Sequence, residues 1–225
     1  PVTPDTAVAE AIAPALTAAE GVRGRALGVR VETTLRTRYR EESALTNLVA
    51  DMMRASVPNA DVALMNAGGV RVDLDPGPLD YGRLYAVLPF DNRLVTVRMR
   101  ASALRALLAD NARTDSGVLG LSGLRATALC EGNRVVVRLA REDGRPVGDD
   151  ELLTVATNDY LAQGSFGRQL AEPLTDDAIV ASPTLRDAVA ERLATVGALR
   201  GEDTRWYDAA HPRFALPRPR PLRCE

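Results

Sequence analysis

The chain of 225 residues contains no lysine, and all 28 of its basic side chains are arginine. Aromatic residues make up 4% of it and hydrophobic residues 46%, so its core must be built mainly from Ala, Val and Leu. There is a single histidine, His211, in a Pro-rich stretch where the plain reading is a solvated tail residue. Metal hydrolase centres draw on several imidazoles and carboxylates, and Ser-His-Asp triads need a positioned imidazole, so neither is expected. Cys130 lies in an apolar strand-like segment and Cys224 in the final dipeptide. They make no metal-ligand spacing and no disulfide framework, which leaves the redox compartment open. No run approaches the roughly 20 apolar residues that span a bilayer, and no charged start with an apolar region opens the chain. A membrane span and a retained signal peptide are therefore not expected. The net charge is only -2, with both signs interspersed, so the footprint of a nucleic-acid binder is lacking.

What is present alternates between helical and strand patterns. Residues 1–20 read as one helix, with Asp5 as its cap, Val8, Ile12 and Leu16 at helical spacing, Pro14 inside the pattern and Gly21 as its end. Its apolar face has nothing local to pack against. Residues 27–39 alternate as a strand. Ser43 caps a helix through Leu45, Leu48, Val49, Met52 and Met53, and residues 61–65 suit a buried strand. A short helix over 81–87 precedes a strand over 93–99, and Ser102 caps the next helix. Strands are expected over 124–130, 134–139 and 152–157, then a helix over 184–196. The uneven alternation favours a mixed α/β or α+β class. Four prolines after Trp206 predict a tail without regular structure, its arginines solvated.

The most informative stretch is residues 61–92. A buried strand runs into Asn66-Ala-Gly-Gly69-Val-Arg71, where adjacent glycines let the backbone turn sharply and approach a ligand. Arg71 could then present its fork of donors to a phosphate or carboxylate. The plain alternative is a tight turn whose arginine meets a surface carboxylate. Phe90 follows Leu88 and Pro89 at the end of an element, and Tyr160 lies in NDYLAQGSFG. Rings facing across about 7 Å would hold a flat heterocycle, each adding about 1 kcal/mol beyond area burial. Core packing is the alternative for both.

The ordered motifs TNLVADMM, ALMNAGGVR, YGRLYAVLPFDN, SALRALL and VATNDYLAQG resemble the C-terminal domain of the 5'-nucleotidase family, over about residues 25–200. The family includes UDP-sugar hydrolases and 2',3'-cyclic-nucleotide phosphodiesterases. The resemblance implies a layered α/β/β/α domain over residues 23–208, an interdomain connector helix over 1–22 and a Pro/Arg-rich tail over 209–225. It also implies a division of labour. An N-terminal metallophosphoesterase domain, whose Asp-x-His, Gly-Asp and Gly-Asn-His signatures are missing here, would hold two divalent metal ions. The present chain would grip the nucleotide or related phosphate ester, and alone would be inactive. Family members are typically exported, and family enzymes rotate about the connector.

By the same resemblance, Asn66, Gly69 and Arg71 match the loop that meets the ribose and phosphate side of the substrate. Phe90 and Asn92 match the base-contacting Phe-x-Asn, and Tyr160 falls on the second stacking aromatic. The family's further arginine, upstream of Glu42-Ser43, falls on Tyr39, with Arg38 and Arg40 on either side; Thr46 replaces a glycine in the next helix. Where the family has Gly-Gly-Asp-Gly, this chain has Gly164, Ser165, Phe166 and Gly167, so a ring replaces the aspartate that accepts ribose hydroxyls. Such a charged acceptor contributes about 1.5 to 3 kcal/mol. Phe166 keeps open the alternative of a non-catalytic binding module with a repurposed cleft, and the resemblance leaves a further one inside the family, the equivalent domain of a sulfur-oxidation hydrolase.

Overall fold

The computed structural model describes residues 5–164, 184–217 and 220–225. The chain begins with α1 (Thr6–Arg23), β1 (Ala26–Val31), α2 (Ala44–Ser56), β2 (Val62–Met65), β3 (Gly77–Asp80), α3 (Tyr81–Val87), β4 (Leu94–Arg100) and α4 (Ala101–Ala112). It continues through β5 (Gly120–Ser122), β6 (Leu124–Glu131), β7 (Arg134–Arg141), β8 (Leu152–Asn158), α5 (Asp159–Gln163), α6 (Leu185–Leu193), β9 (Ala198–Leu199) and β10 (Phe214–Ala215). This is the mixed α and β class that the alternating patterns predict.

A four-stranded sheet in the order β4-β8-β2-β5 forms the centre. Strand β2 runs parallel to β8 and antiparallel to β5, and β4 runs antiparallel to β8. Side chains along β2 alternate between faces. Val62 and Leu64 pack with α4, β6 and β7, while Ala63 and Met65 pack with β1, α2, α3 and α6. A strand covered on both faces has no use for a polar residue, which is why VALM is uninterrupted. On one side lies the small sheet β3-β1-β9, and on the other β10-β6-β7.

Helix α2 is fixed at its start as the sequence predicts: Ser43 Oγ accepts from the Thr46 amide at 3.3 Å. Its buried Asn47 donates to Glu42 Oε1 (2.6 Å) and the Trp206 carbonyl (2.8 Å), tying the helix to a residue far along the chain.

Several expectations need correcting. Helix α1 is capped by Asp5, which accepts from Ala7 N and Val8 N, but it passes Gly21 and ends at Gly24. The strand expected over 27–39 stops at Val31. Beyond it Leu35 bridges Leu74 and the Thr37 amide donates to Asp73 Oδ1 (2.8 Å), so the alternation persists while the partner changes. Ser102 does not cap α4. The amides of Ala101 and Ser102 donate instead to the carbonyls of Glu151 (2.9 Å) and Asp149 (3.1 Å), so a distant turn satisfies these orphan donors.

The C-terminal stretch departs most. Phe214 and Ala215, in the gap between Pro212 and Pro217, pair in parallel with Ala126 and Thr127 of β6, and Phe214 is 2% exposed. Arg213 is not solvated but forks onto Asp51 at 2.6 and 2.9 Å. Cys130 and Cys224 form a disulfide across 94 positions of sequence. Spacing along the chain could not show this, because it is the returning tail that brings the two together. His211 is exposed as expected, with Nδ1 3.0 Å from Asp208 Oδ2.

Candidate functional site

The C-terminal ends of parallel β2 and β8 reach the same edge of the central sheet, since Val62 pairs with Val155 and Ala63 with Ala156. At that edge β4 begins with Leu94 opposite Asn158, and β5 begins with Gly120 opposite Met65. Loops leaving the carboxyl ends of neighbouring parallel strands frame a crevice in sheets of this kind. Here the loops are 66–71, 90–93 and the turn at 158–160, joined by 113–119 from the end of α4.

Two asparagines lock the first and third of these together. Asn158 Nδ2 donates to Asn66 Oδ1 at 2.8 Å, while Asn158 Oδ1 accepts from the Leu161 amide at 2.8 Å and so caps α5. Asn66 opens a single 3₁₀ turn over Ala67–Gly69. A side chain at Gly69 would start 2.5 Å from Met65 Cε and 3.3 Å from both terminal atoms of Asn66, so the glycine preserves the asparagine's orientation. The Arg71 amide donates to the Val87 carbonyl (2.9 Å), which fastens the loop to the end of α3. Its guanidinium is exposed and donates to the Gly68 carbonyl at 3.2 Å. Among the described residues no carboxylate pairs with it.

The loop bearing Phe90 and Asn92 is held from both sides. Asn92 Nδ2 donates to Asp159 Oδ1 (3.0 Å), the Asp159 amide donates to the Arg93 carbonyl (3.0 Å), and the Leu185 amide donates to the Asn92 carbonyl (2.7 Å). Beneath it sits Arg186, 5% exposed. Its guanidinium donates to the carbonyls of Leu88 (2.7 Å) and Phe90 (3.3 Å), to Asp91 Oδ1 (2.9 Å) and to Tyr81 Oη (3.1 Å), and it stacks 4.3 Å from the Tyr85 ring. Burial works against its charge, but the hydrogen bonds to Tyr81 and Asp91 outweigh it and raise the pKa above the ordinary value. Tyr81 in turn donates to Asp187 Oδ1 at 2.6 Å. Burial pushes the Asp187 carboxyl up, and the hydroxyls of Tyr81 and Thr184 more than reverse this. On this support Phe90 is 48% exposed and Tyr160 66% exposed. Neither ring is core.

Of the residues singled out in the sequence, Asn66, Gly69, Arg71, Phe90, Asn92 and Tyr160 all belong to this one end of the sheet. Arg38 and Arg40 diverge from it. Arg38 approaches Glu41 (3.7 Å) and Arg40 approaches Asp115 (3.5 Å), and between them Tyr39 lines a cleft of about 460 Å³ with Asn66, Gly68, Asn111 and Tyr160. Phe166 lies outside the described residues. Arg186 and Asn158 went unnoticed in the sequence because a charged residue in a helix and an asparagine before one read as surface and cap. Only their distant partners give them a role in shaping the site. Among the described residues, no group of three or more His, Cys, Asp or Glu could hold a metal ion, and no helix is long and apolar enough to cross a membrane.

The chain is 30% identical over 152 residues to the NAD 5'-nucleotidase of Haemophilus influenzae, a match covering 61% of this chain and 25% of that protein. It is 33% identical over 142 residues to the cell wall protein Lmo0130 of Listeria monocytogenes, covering 56% of this chain and 18% of that protein. The chain thus spans about a quarter or less of these curated relatives. In fold it is similar to a 5'-nucleotidase precursor from Thermus thermophilus, with a TM-score of 0.74 at 23% identity over 93% of this chain and 43% of the other. Residues 17–172 match the family model described as the 5'-nucleotidase C-terminal domain, and the chain belongs to that family.

Proposed function

We propose that this end of the sheet binds a nucleotide, and that the chain is the substrate-recognition domain of a two-domain, metal-dependent phosphoesterase of nucleotide catabolism. The observation that carries the proposal is that two exposed rings, Phe90 and Tyr160, stand on loops tied together by Asn92 and Asp159, at the same sheet end as a guanidinium, Arg71, that no described carboxylate neutralises. Exposed aromatic surface on a rigid support suits a base, each ring adding about 1 kcal/mol beyond area burial. Asn92 lends its amide to the base edge, and Asn66, held by Asn158, faces the ribose side. Arg71 has donors left for the phosphoryl oxygens, as a fork does in bidentate recognition. Arg40, 3.5 Å from Asp115, stands behind Tyr39 and is a weaker candidate for the same task, as is Arg38. Orientation is this chain's contribution. Two divalent ions in an N-terminal domain would supply the activated water.

Export of the parent protein is supported by the Cys130–Cys224 disulfide, since such bonds persist in oxidising compartments, and by the cell-wall relative. Calorimetric titration of the purified chain with AMP is expected to give micromolar to millimolar binding. Phe90→Ala and Arg71→Ala should each weaken it by about five- to tenfold. Absence of binding by any nucleotide would overturn the reading. The chain alone should release no phosphate from AMP with manganese or zinc added, and release would count against the division of labour.

A further inference from the structure

Arg220 lies in the C-terminal stretch, far along the chain from the residues of the nucleotide site, yet its guanidinium is clasped by the loops that frame that crevice. Nη1 donates to the Arg40 carbonyl at 3.3 Å, and Nη2 to the carbonyls of Asn111 (2.8 Å), Ser116 (3.3 Å) and Thr114 (3.4 Å). Asn111 lies in the last turn of α4, where carbonyls without a helical partner attract a cation. One side chain thus joins the end of α4 and the 113–119 loop to the segment that carries Tyr39.

Those two segments form one wall of the crevice. Tyr39, Thr114, Ser116 and Gly117 line it together with Asn66 and Tyr160. The Val118 amide donates to the Tyr39 carbonyl at 2.9 Å. A side chain at Gly117 would start 2.9 Å from both Tyr39 Cε2 and Ala67 Cβ, so the wall packs directly on the loop that presents Asn66. In close-packed structure a shift of the wall is passed on to that loop.

Arg220 is not at ease in this place by itself. Its acceptors are neutral carbonyls, and its buried Nε has no hydrogen-bond partner among the described residues. Burial holds its pKa below the ordinary value, with Asp115 opposing and Arg40 adding to the effect. The residues that follow supply what keeps it there. The Leu222 amide donates to the Ala112 carbonyl at 2.9 Å, the Leu222 side chain is buried, and Cys224 is bonded to Cys130 of β6. A covalent anchor therefore stands one short segment beyond the guanidinium.

We propose, resting on the reading of this crevice as a nucleotide site, that Arg220 is a positioning residue that holds the 113–119 wall and Tyr39 in place. The Cys130–Cys224 disulfide is its tether, so nucleotide affinity depends on the tether being closed. Amide hydrogen exchange and calorimetric titration with AMP, both on the full chain, test this. Arg220→Met is expected to speed exchange of the Val118 amide by about tenfold and to leave unchanged that of Leu161, which Asn158 holds beside Tyr160. A merely structural role would loosen both amides together. The same variant is expected to bind AMP about five- to tenfold more weakly. A dithiol, which reaches the bond through the exposed Cys130 and closes to a cyclic disulfide as Cys130 and Cys224 become thiols, should produce both changes in the native chain. It should add nothing in Cys224→Ser. The reduced chain, kept at a temperature where circular dichroism reports it folded, serves alone should Arg220→Met fail to fold. Val118 exchange unchanged in either folded form would overturn the inference, as would unchanged AMP affinity in a chain whose Val118 is loosened. A native chain that binds no nucleotide overturns the nucleotide reading instead, and exchange at Val118 still decides whether Arg220 holds the wall.

Discussion

Arg186 is the single side chain on which the presentation of Phe90 depends most. Burying a guanidinium is unfavourable unless its donors are used, and here they reach two carbonyls, a carboxylate and a hydroxyl while the plane lies on Tyr85. Replacement by methionine keeps the length of the stem and strips Leu88 and Phe90 of their donor. Since Asp91 is largely in solvent, most of the loss comes from the carbonyls and the packing. Arg186→Met is expected to cost about 2 to 4 kcal/mol in urea unfolding, and to weaken AMP binding even where the protein remains folded. Arg186→Lys should recover little of either, because an ammonium cannot meet those partners at once. A variant with wild-type stability and wild-type affinity would show that the loop holds its shape unaided.

Individual elements differ in how much of the molecule they hold up. Strand β2 has every side chain buried, whereas α1 has no buried residue, and Val8, Ile12 and Leu16 point to solvent at about half exposure. A helix that buries so little contributes correspondingly little to the folded state, however regular its spacing. Removal of the residues before Arg25, whose carbonyl accepts from the Tyr81 amide, is expected to move the melting temperature by less than about 3 °C. Thermal unfolding followed by circular dichroism checks this, and a drop beyond 10 °C would mean that α1 is part of the domain's core. The same comparison explains which elements were readable. α3 lies where the sequence predicts it, and the structure adds its cap, Asp80, which accepts from the Arg83 amide, whereas α4 has its first amides satisfied by the turn before β8, which only the three-dimensional arrangement reveals.

Taken as a whole, the molecule is closed by its last dozen residues. Phe214 fills the core beside β6, Arg213 pairs with Asp51 on α2, and Cys224 reaches back to Cys130. Cross-linking positions 94 apart restricts the unfolded chain, and in the entropy model such loops contribute about 4 to 5 kcal/mol, of which measured cases commonly realise 2 to 4. Cys224→Ser is accordingly expected to lower the melting temperature by about 5 to 15 °C, and reductant should do the same to the native chain but nothing further to the variant. Calorimetry with and without reductant distinguishes these outcomes. An unchanged melting temperature would assign closure to Phe214 and Arg213 alone.

Periodicity and a local cap were enough to reveal the class of fold, the buried strand β2 and the helix after Ser43, because each rests on residues within one or two turns of each other. The ordered motifs likewise carried the family resemblance. Tertiary structure alone decided that Phe90 and Tyr160 are exposed at one sheet end, that Tyr39 and not its flanking arginines lines the cleft, and that a Pro-rich tail is part of the core and held by a disulfide. Each of these depends on groups separated by tens of residues, whose meeting is set by strand pairing and chain return. No local pattern of side chains encodes that distance.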